Sequence, residues 1–175
     1  MKFIKTKIQG VVVVEPEKIK DNRGFFARSW DFNEFKKKGL NAKIAQCSIS
    51  YNKKRGTIRG MHYQKKPYEE AKIVTCTKGK IFDVIVDLRP KSRTFKKWIS
   101  GELSEENQKM HYIPEGCAHG FQTLKNDTII HYQMSQIFKP KNYRGLRWND
   151  SSFNILWPLK PTNISKKDAS HKDFK

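Results

Sequence analysis

The sequence predicts an all-β fold, a sandwich or barrel of short strands, and three observations carry that prediction. Short apolar and β-branched runs recur at near-regular spacing along the chain. Turn-forming groups, among them Asp21-Asn22-Arg23-Gly24, Pro114-Glu115-Gly116 and Asn126-Asp127, separate them. Helix start and stop signals are scarce. Many short strands with little helix close most simply as a two-sheet sandwich or a barrel.

In chain order, Ile8 to Val14 reads as a first strand that Pro16 ends. After the turn at Asp21 to Gly24, Phe25 to Trp30 is extended. Asp31 can then cap a short helix through Lys38, with lysines in its last turn and Gly39 to stop it. Ile44 to Tyr51 alternates weakly, Asn52 to Arg55 is a turn, and Gly56 to Gln64 is another strand. Ala71 to Thr77 and Lys80 to Leu88 are apolar runs that Lys78-Gly79 would join as a hairpin. Phe95 to Leu103 is extended, and Ser104 to Asn107 reads as one capped helical turn. Met110 to Ile113, His119 to Leu124 and Thr128 to Phe138 are strands, and the tail beyond Trp148 looks irregular. Phe25, Phe26, Phe82, Phe121 and Met134 fall in strand patterns, where core packing is the expectation.

A chain of 175 residues makes one domain, residues 1–175, with enough core to need no metal or disulfide. Cys47, Cys76 and Cys117 are odd in number and widely spaced, so neither a disulfide framework nor a zinc finger is indicated, and a reducing cytoplasm fits best. Val11 to Val14 is too short a run for a signal peptide or a membrane span. The 36 basic against 17 acidic residues give a net charge of +19, but 28 of the 36 are lysines scattered in short runs. Such runs read as solvated turns and helix faces, so a nucleic-acid partner is not expected and an affinity for phosphorylated small molecules is.

Gly56 to Gln64 sets a fixed cation, Arg59, and a titratable imidazole, His62, three residues apart in a strand, which suits an anionic substrate and a base. His62, Lys72, Asp83, His119 and Tyr132 are polar residues inside otherwise apolar strands, where burial would normally exclude them. Alternation places Lys72 with Val74 and Cys76, Asp83 with Ile81 and Ile85, His119 with Phe121 and Thr123, and Tyr132 with Ile130 and Met134. If those faces line one interior, the five groups converge on a cavity holding a base, an acid and cations. That set can remove a proton from carbon beside a ketone and return one to the opposite face, with Lys72 stabilising the enolate and Tyr132 protonating it. In a regular strand Arg59 and His62 point to opposite faces, so a bulge is expected at Gly60. Metal binding is the rival chemistry: no HxH pair exists, and His62 and His119 would have to be joined by Glu69 or Glu70.

With these residues assembled, the chain resembles the dTDP-4-dehydrorhamnose 3,5-epimerase family. The matching segments are DNRGFF (Asp21 to Phe26), GTIRGMHYQ (Gly56 to Gln64), KGKIFDVIVDLR (Lys78 to Arg89), LSEEN (Leu103 to Asn107), YIPEGCAHGFQ (Tyr112 to Gln122) and the WND and WP pairs at Trp148 and Trp157. The resemblance implies a cupin-like jelly roll that works without a cofactor, as a homodimer with exchanged strands, on a nucleotide-diphosphate 4-keto sugar. It implies His62 as base, oriented by Asp168, and Tyr132 as acid. Arg23 and Arg59 would hold the diphosphate, Lys72 and His119 would stand near the ketone, and Gln46 and Lys167 would be further contacts. Phe26 belongs to the same DNRGFF segment, and Asp83 would orient His119 or neutralise Lys72. The chain departs from the pattern of thymidine-specific members at Arg28, where they carry Glu, and at Ile137-Phe138, where they carry a Tyr pair. Phe138 can still stack on a base. These departures leave the nucleotide open between dTDP, CDP and others. Epimerisation at C3 alone, keto-isomerisation, and non-catalytic binding of a sugar or polyanion are the alternative readings.

Overall fold

In the computed structural model, which describes residues 1–174, the strands arrange as two facing sheets of six and a separate two-stranded ribbon. In chain order they are β1 (Lys2–Lys5), β2 (Val12–Glu15), β3 (Ile19–Asp21), β4 (Gly24–Phe26), β5 (Gln46–Asn52), β6 (Thr57–Gln64) and β7 (Lys72–Lys78). They continue with β8 (Lys80–Asp87), β9 (Trp98–Ser104), β10 (Met110–Ile113), β11 (Cys117–Thr123), β12 (Thr128–Met134), β13 (Tyr143–Gly145) and β14 (Asn163–Ile164). The helices are α1 (Phe32–Lys37) and α2 (Lys166–Ala169). One sheet runs β1-β2-β10-β7-β12-β5; the other runs β13-β6-β11-β8-β9, with β14 added parallel to β6. This is the all-β jelly-roll architecture expected of a cupin-like fold. Among the described residues no helix is long and apolar enough to cross a membrane.

The alternation read from the sequence determines what lies between the sheets. Val74, Cys76, Ile81, Ile85, Phe121 and Ile130 pack in one buried cluster, with Tyr132 against it. Each such side chain contributes about 1.5–3 kcal/mol by leaving water. The opposite face of the first sheet packs Ile73, Met110 and Tyr112 on Phe35 of α1. That of the second packs Val84 and Val86 on Phe153 and Ile155 from the tail. Both faces of β8 are therefore covered, which explains why residues 81–86 are apolar on both sides apart from Asp83. Asp31 caps α1 as expected, its carboxylate accepting the Glu34 amide at 3.0 Å.

Several expectations are corrected. β7 and β8 are not a hairpin: each belongs to a different sheet, and the single residue Gly79 carries the chain from one to the other. A hairpin of this length needs two residues outside the ladder, and only one is free. The strand expected first, from Ile8, begins at Val12 and follows an earlier strand, β1; the β9 ladder begins at Trp98 rather than Phe95, and β12 ends at Met134 rather than Phe138. Ser104 to Asn107 is a hydrogen-bonded turn, not a helix, closed by reciprocal bonds between the two end residues. Phe25 and Phe26 are not core: at 50% and 66% exposure they stand on the β3–β4 ribbon, which pairs only with itself. The tail is not all irregular, because it supplies β14 and α2.

Candidate active site

The bulge expected in β6 is present. His62 pairs with His119 and Arg59 with Phe121, so three steps along β6 face two along β11. Gly60 lies at φ +119, and a Cβ there would stand 2.6 Å from the Gly120 Cα, so only glycine fits. The bulge brings Arg59 and His62 to one cavity of about 240 Å³, lined also by Lys72, His119, Phe121 and Tyr132. A second hollow of about 220 Å³ shares Lys72 and Tyr132 and extends to Gln46 and Phe138. A larger hollow of about 710 Å³ lies between the β1 and β9 edges, but it contains none of the site residues picked from the sequence. The convergence of chemistry, rather than volume, marks the smaller pair as the site.

Asp168 reaches His62 because two short tail elements share the outer edge of β6. β13 covers His62 to Gln64, and β14 covers Thr57 and Ile58. From β14 the chain enters α2, where Ser165 accepts the Asp168 amide at 3.0 Å. The Asp168 carboxylate then drops against the bulge, accepting the Gly60 N–H at 3.3 Å and meeting His62 Nε2 at 2.7 Å. Burial pushes the His62 pKa down, partly offset by Asp168, so the imidazole is neutral at pH 7. Burial alone would raise Asp168, but the His62 bond and charge outweigh it and hold the carboxyl below its usual range.

On the facing side, Asp83 is fully buried and bonds two imidazoles at once, His119 Nε2 at 2.6 Å and His111 Nδ1 at 2.7 Å. Its burial opposes ionisation, yet the two histidines keep its pKa lowered. Of the two expectations for Asp83, orientation of His119 matches this contact. Lys72 is instead neutralised by Glu70 at 2.9 Å. Asp83 therefore stands behind His119 and does not line the cavity. Tyr132 lies 6.1 Å from the His119 ring, centroid to centroid, its phenol pushed well up by burial and further by the Asp83 charge. The rival metal set is not assembled, since Asp168 engages His62, Asp83 engages His119 and Glu70 engages Lys72.

Arg59 donates to Asn52 at 2.7 Å at the cavity edge. Lys167 sits 4.4 Å over the Tyr143 ring, which packs edge to face with Phe138 and tilted against His62. Besides Asp83, three sequence-predicted residues near the β3–β4 ribbon lie away from the cavity within one chain. Arg23 is paired with Asp21 on its own ribbon, Arg28 lies near Asp31, and Phe26 is exposed beside it. Sequence reasoning missed His111, although it lies inside the apolar run Met110 to Ile113 and carries the same signal that found the other five. Tyr143 and His171 were also missed, because their strand and tail segments have no apolar pattern to stand out from.

A family profile described as dTDP-4-dehydrorhamnose 3,5-epimerase matches residues 5–175. The dTDP-4-dehydrorhamnose 3,5-epimerase of Sinorhizobium fredii is 40% identical over 171 residues, covering 97% of this chain and 88% of that one. The crystal structure of the Bacillus anthracis dTDP-4-dehydrorhamnose 3,5-epimerase, with TDP and PPi bound, superposes with a TM-score of 0.96 at 36% identity, covering 99% of each chain. The Legionella pneumophila dTDP-6-deoxy-D-glucose-3,5-epimerase, in complex with dTDP-4-keto-L-rhamnose, gives a TM-score of 0.93 at 33% identity, covering 98% of this chain and 92% of that one. With the bulged strand, the His62–Asp168 contact and these full-length similarities together, the chain belongs to the dTDP-4-dehydrorhamnose 3,5-epimerase family.

Proposed function

We propose that the chain is an epimerase of a nucleotide-linked 4-keto-6-deoxy sugar, of the dTDP-4-dehydrorhamnose 3,5-epimerase type, exchanging protons at C3 and C5 beside the C4 ketone without a cofactor. The observation that carries this reading is the His62–Asp168 pair in the wall of a cavity that also holds Lys72, His119 and Tyr132. With its Nε2–H donated to Asp168, His62 keeps Nδ1 as an acceptor, so Nδ1 takes the carbon-bound proton and Asp168 stabilises the imidazolium. Lys72 and the His119 ring bear the charge that develops on the ketone oxygen as the enolate forms. Tyr132, kept as a neutral phenol by burial, returns a proton from the other face.

Arg59 at one edge of the paired hollows suits the diphosphate, with bidentate pairing to phosphate as the reason, and Phe138 at the other suits stacking on the base. The nucleotide bound in the Bacillus anthracis relative and the 4-keto sugar bound in the Legionella pneumophila relative support this assignment of substrate class. The exposed ribbon with Arg23 and Phe26 is best used in a homodimer, where it reaches the cavity of the second subunit and adds a second arginine to the diphosphate. Three free cysteines suit the cytoplasm.

The test is incubation of purified protein with the dTDP-linked 4-keto-6-deoxyhexose in deuterated water. Deuterium at C3 and C5 is the expected result, deuterium at C3 alone would make it a single-carbon epimerase, and none at either carbon would refute the reading for that sugar. Running CDP-, GDP- and UDP-linked sugars in parallel decides the nucleotide that Arg28 and Ile137-Phe138 leave open.

A further inference from the structure

We propose that His62, Asp168 and His171 form an inhibitory site for a divalent transition ion of the zinc class, in which the metal replaces the proton held between His62 and Asp168. The tail returns a second imidazole to the carboxylate that serves His62. His171 Nε2 lies 3.7 Å from Asp168 Oδ1, and that oxygen lies 2.7 Å from His62 Nε2. The three donor atoms all fall within 4.8 Å of one another.

At 3.7 Å, His171 is too far from Asp168 for a hydrogen bond, and its Nε2 is buried with no partner among the described residues. A buried nitrogen left without a partner is unfavourable. The fold nevertheless seats it there. A Cβ on Gly145, the residue opposite His62 on β13, would overlap the His171 ring, so this glycine makes the space. Arg147 Nε donates to the His171 carbonyl at 3.2 Å and fixes the backbone.

Two imidazoles and a carboxylate are the donor set of three-ligand zinc sites, which leave a fourth position for water, and they disfavour magnesium and calcium. Ligation needs the Nε2 lone pair of each imidazole, so on binding the His62 proton moves from Nε2 to Nδ1. With Nε2 on the metal and the proton on Nδ1, His62 has no lone pair left to take a proton from carbon, and Asp168, itself a ligand, can no longer stabilise an imidazolium. The binding stands independently of the epimerase reading; the inhibition rests on it.

The experiment titrates the full chain with Co²⁺, read by the visible absorption of four-coordinate cobalt, and then with Zn²⁺ as competitor. Zinc inhibition of deuterium exchange, and its reversal by EDTA, are measured on the same preparation. His171→Phe keeps a ring against Gly145 without nitrogens, and His171→Ala serves as a second variant. Either change should weaken metal binding by about tenfold or more and abolish zinc inhibition, while metal-free exchange is unchanged. No cobalt spectrum from the unaltered chain, or equal zinc affinity and inhibition in both variants, would overturn the site. If cobalt binds through His171 but no sugar is exchanged, the epimerase reading fails and the metal site stands.

Discussion

Two carboxylates serve histidines on opposite sides of the same cavity, and they do so differently. Asp168 arrives from the tail, holds one ring nitrogen of His62, and spends its other oxygen on the bulge amide of Gly60. Asp83 lies inside β8 and divides itself between His119 and His111, with no exposure at all. The first arrangement gives a single cavity-facing imidazole a carboxylate that bonds no other ring, so that carboxylate can stabilise the imidazolium formed when the ring takes a proton. In the second, a single buried carboxylate is hydrogen-bonded by two rings, and those bonds tie three strands together. On the proposed mechanism the first pair serves turnover, and the second serves rigidity.

The largest effect expected from this contrast is on His62. His62→Ala should lower deuterium exchange by about 10²–10⁴, the worth of a positioned base, with an unchanged circular dichroism spectrum; equal loss from His119→Ala with His62→Ala still active would reverse the two roles. Next, Asp83→Ala should cost about 3–5 kcal/mol in denaturant unfolding, as expected on breaking a buried charged pair. If Asp168→Ala cost the same, the division between rigidity and turnover would be lost. Asp168→Asn replaces a charge-assisted bond worth about 1.5–3 kcal/mol and should reduce kcat by about ten- to a hundredfold, with KM little changed.

Acid should separate the pairs again. Because burial lowers the His62 pKa below 6.5, the base is active above that depressed value, and exchange should rise with pH through it. The unfolded chain binds this proton more readily than the folded one, so stability also falls as pH drops below 6.5. Asp83 and Asp168, both depressed below 3.8, add stability that is present above that value and lost as pH falls through their folded pKa values. Unfolding curves between neutral pH and pH 3 measure this; a flat profile would contradict the buried pairs. The smallest effect is at the ribbon. Arg23→Ala, at a side chain 85% exposed, should change stability by less than about 0.5 kcal/mol yet raise KM for the nucleotide sugar. An unchanged KM would remove the ribbon from the second subunit's cavity.

Much of this was legible in the chain because burial and alternation leave marks on strands. Polar residues inside apolar runs located His62, Lys72, Asp83, His119 and Tyr132, and the conflict between Arg59 and His62 located the bulge before any coordinates. The same reasoning failed where no periodicity exists. The Lys78-Gly79 corner looks like a hairpin because local composition cannot say to which sheet the next strand belongs. Phe25 and Phe26 look like core because apolarity alone does not distinguish a covered face from an exposed one.

The sequence by itself determined the strand class, the capped helix at Asp31, the inward faces of β7, β8, β11 and β12, and, through its motifs, the family. Those are local properties, readable from side-chain period and turn chemistry. The pairing of Asp168 with His62 across 106 residues of chain was implied only by the family resemblance, and the tertiary structure alone decided the route by which the tail delivers it, that Asp83 is shared with His111, and that His171 stands beside both members of the proposed base pair. Such contacts depend on which strand edge the tail finds uncovered, and hydrogen bonding along that edge is set by the backbone of β6, whose pattern names no partner.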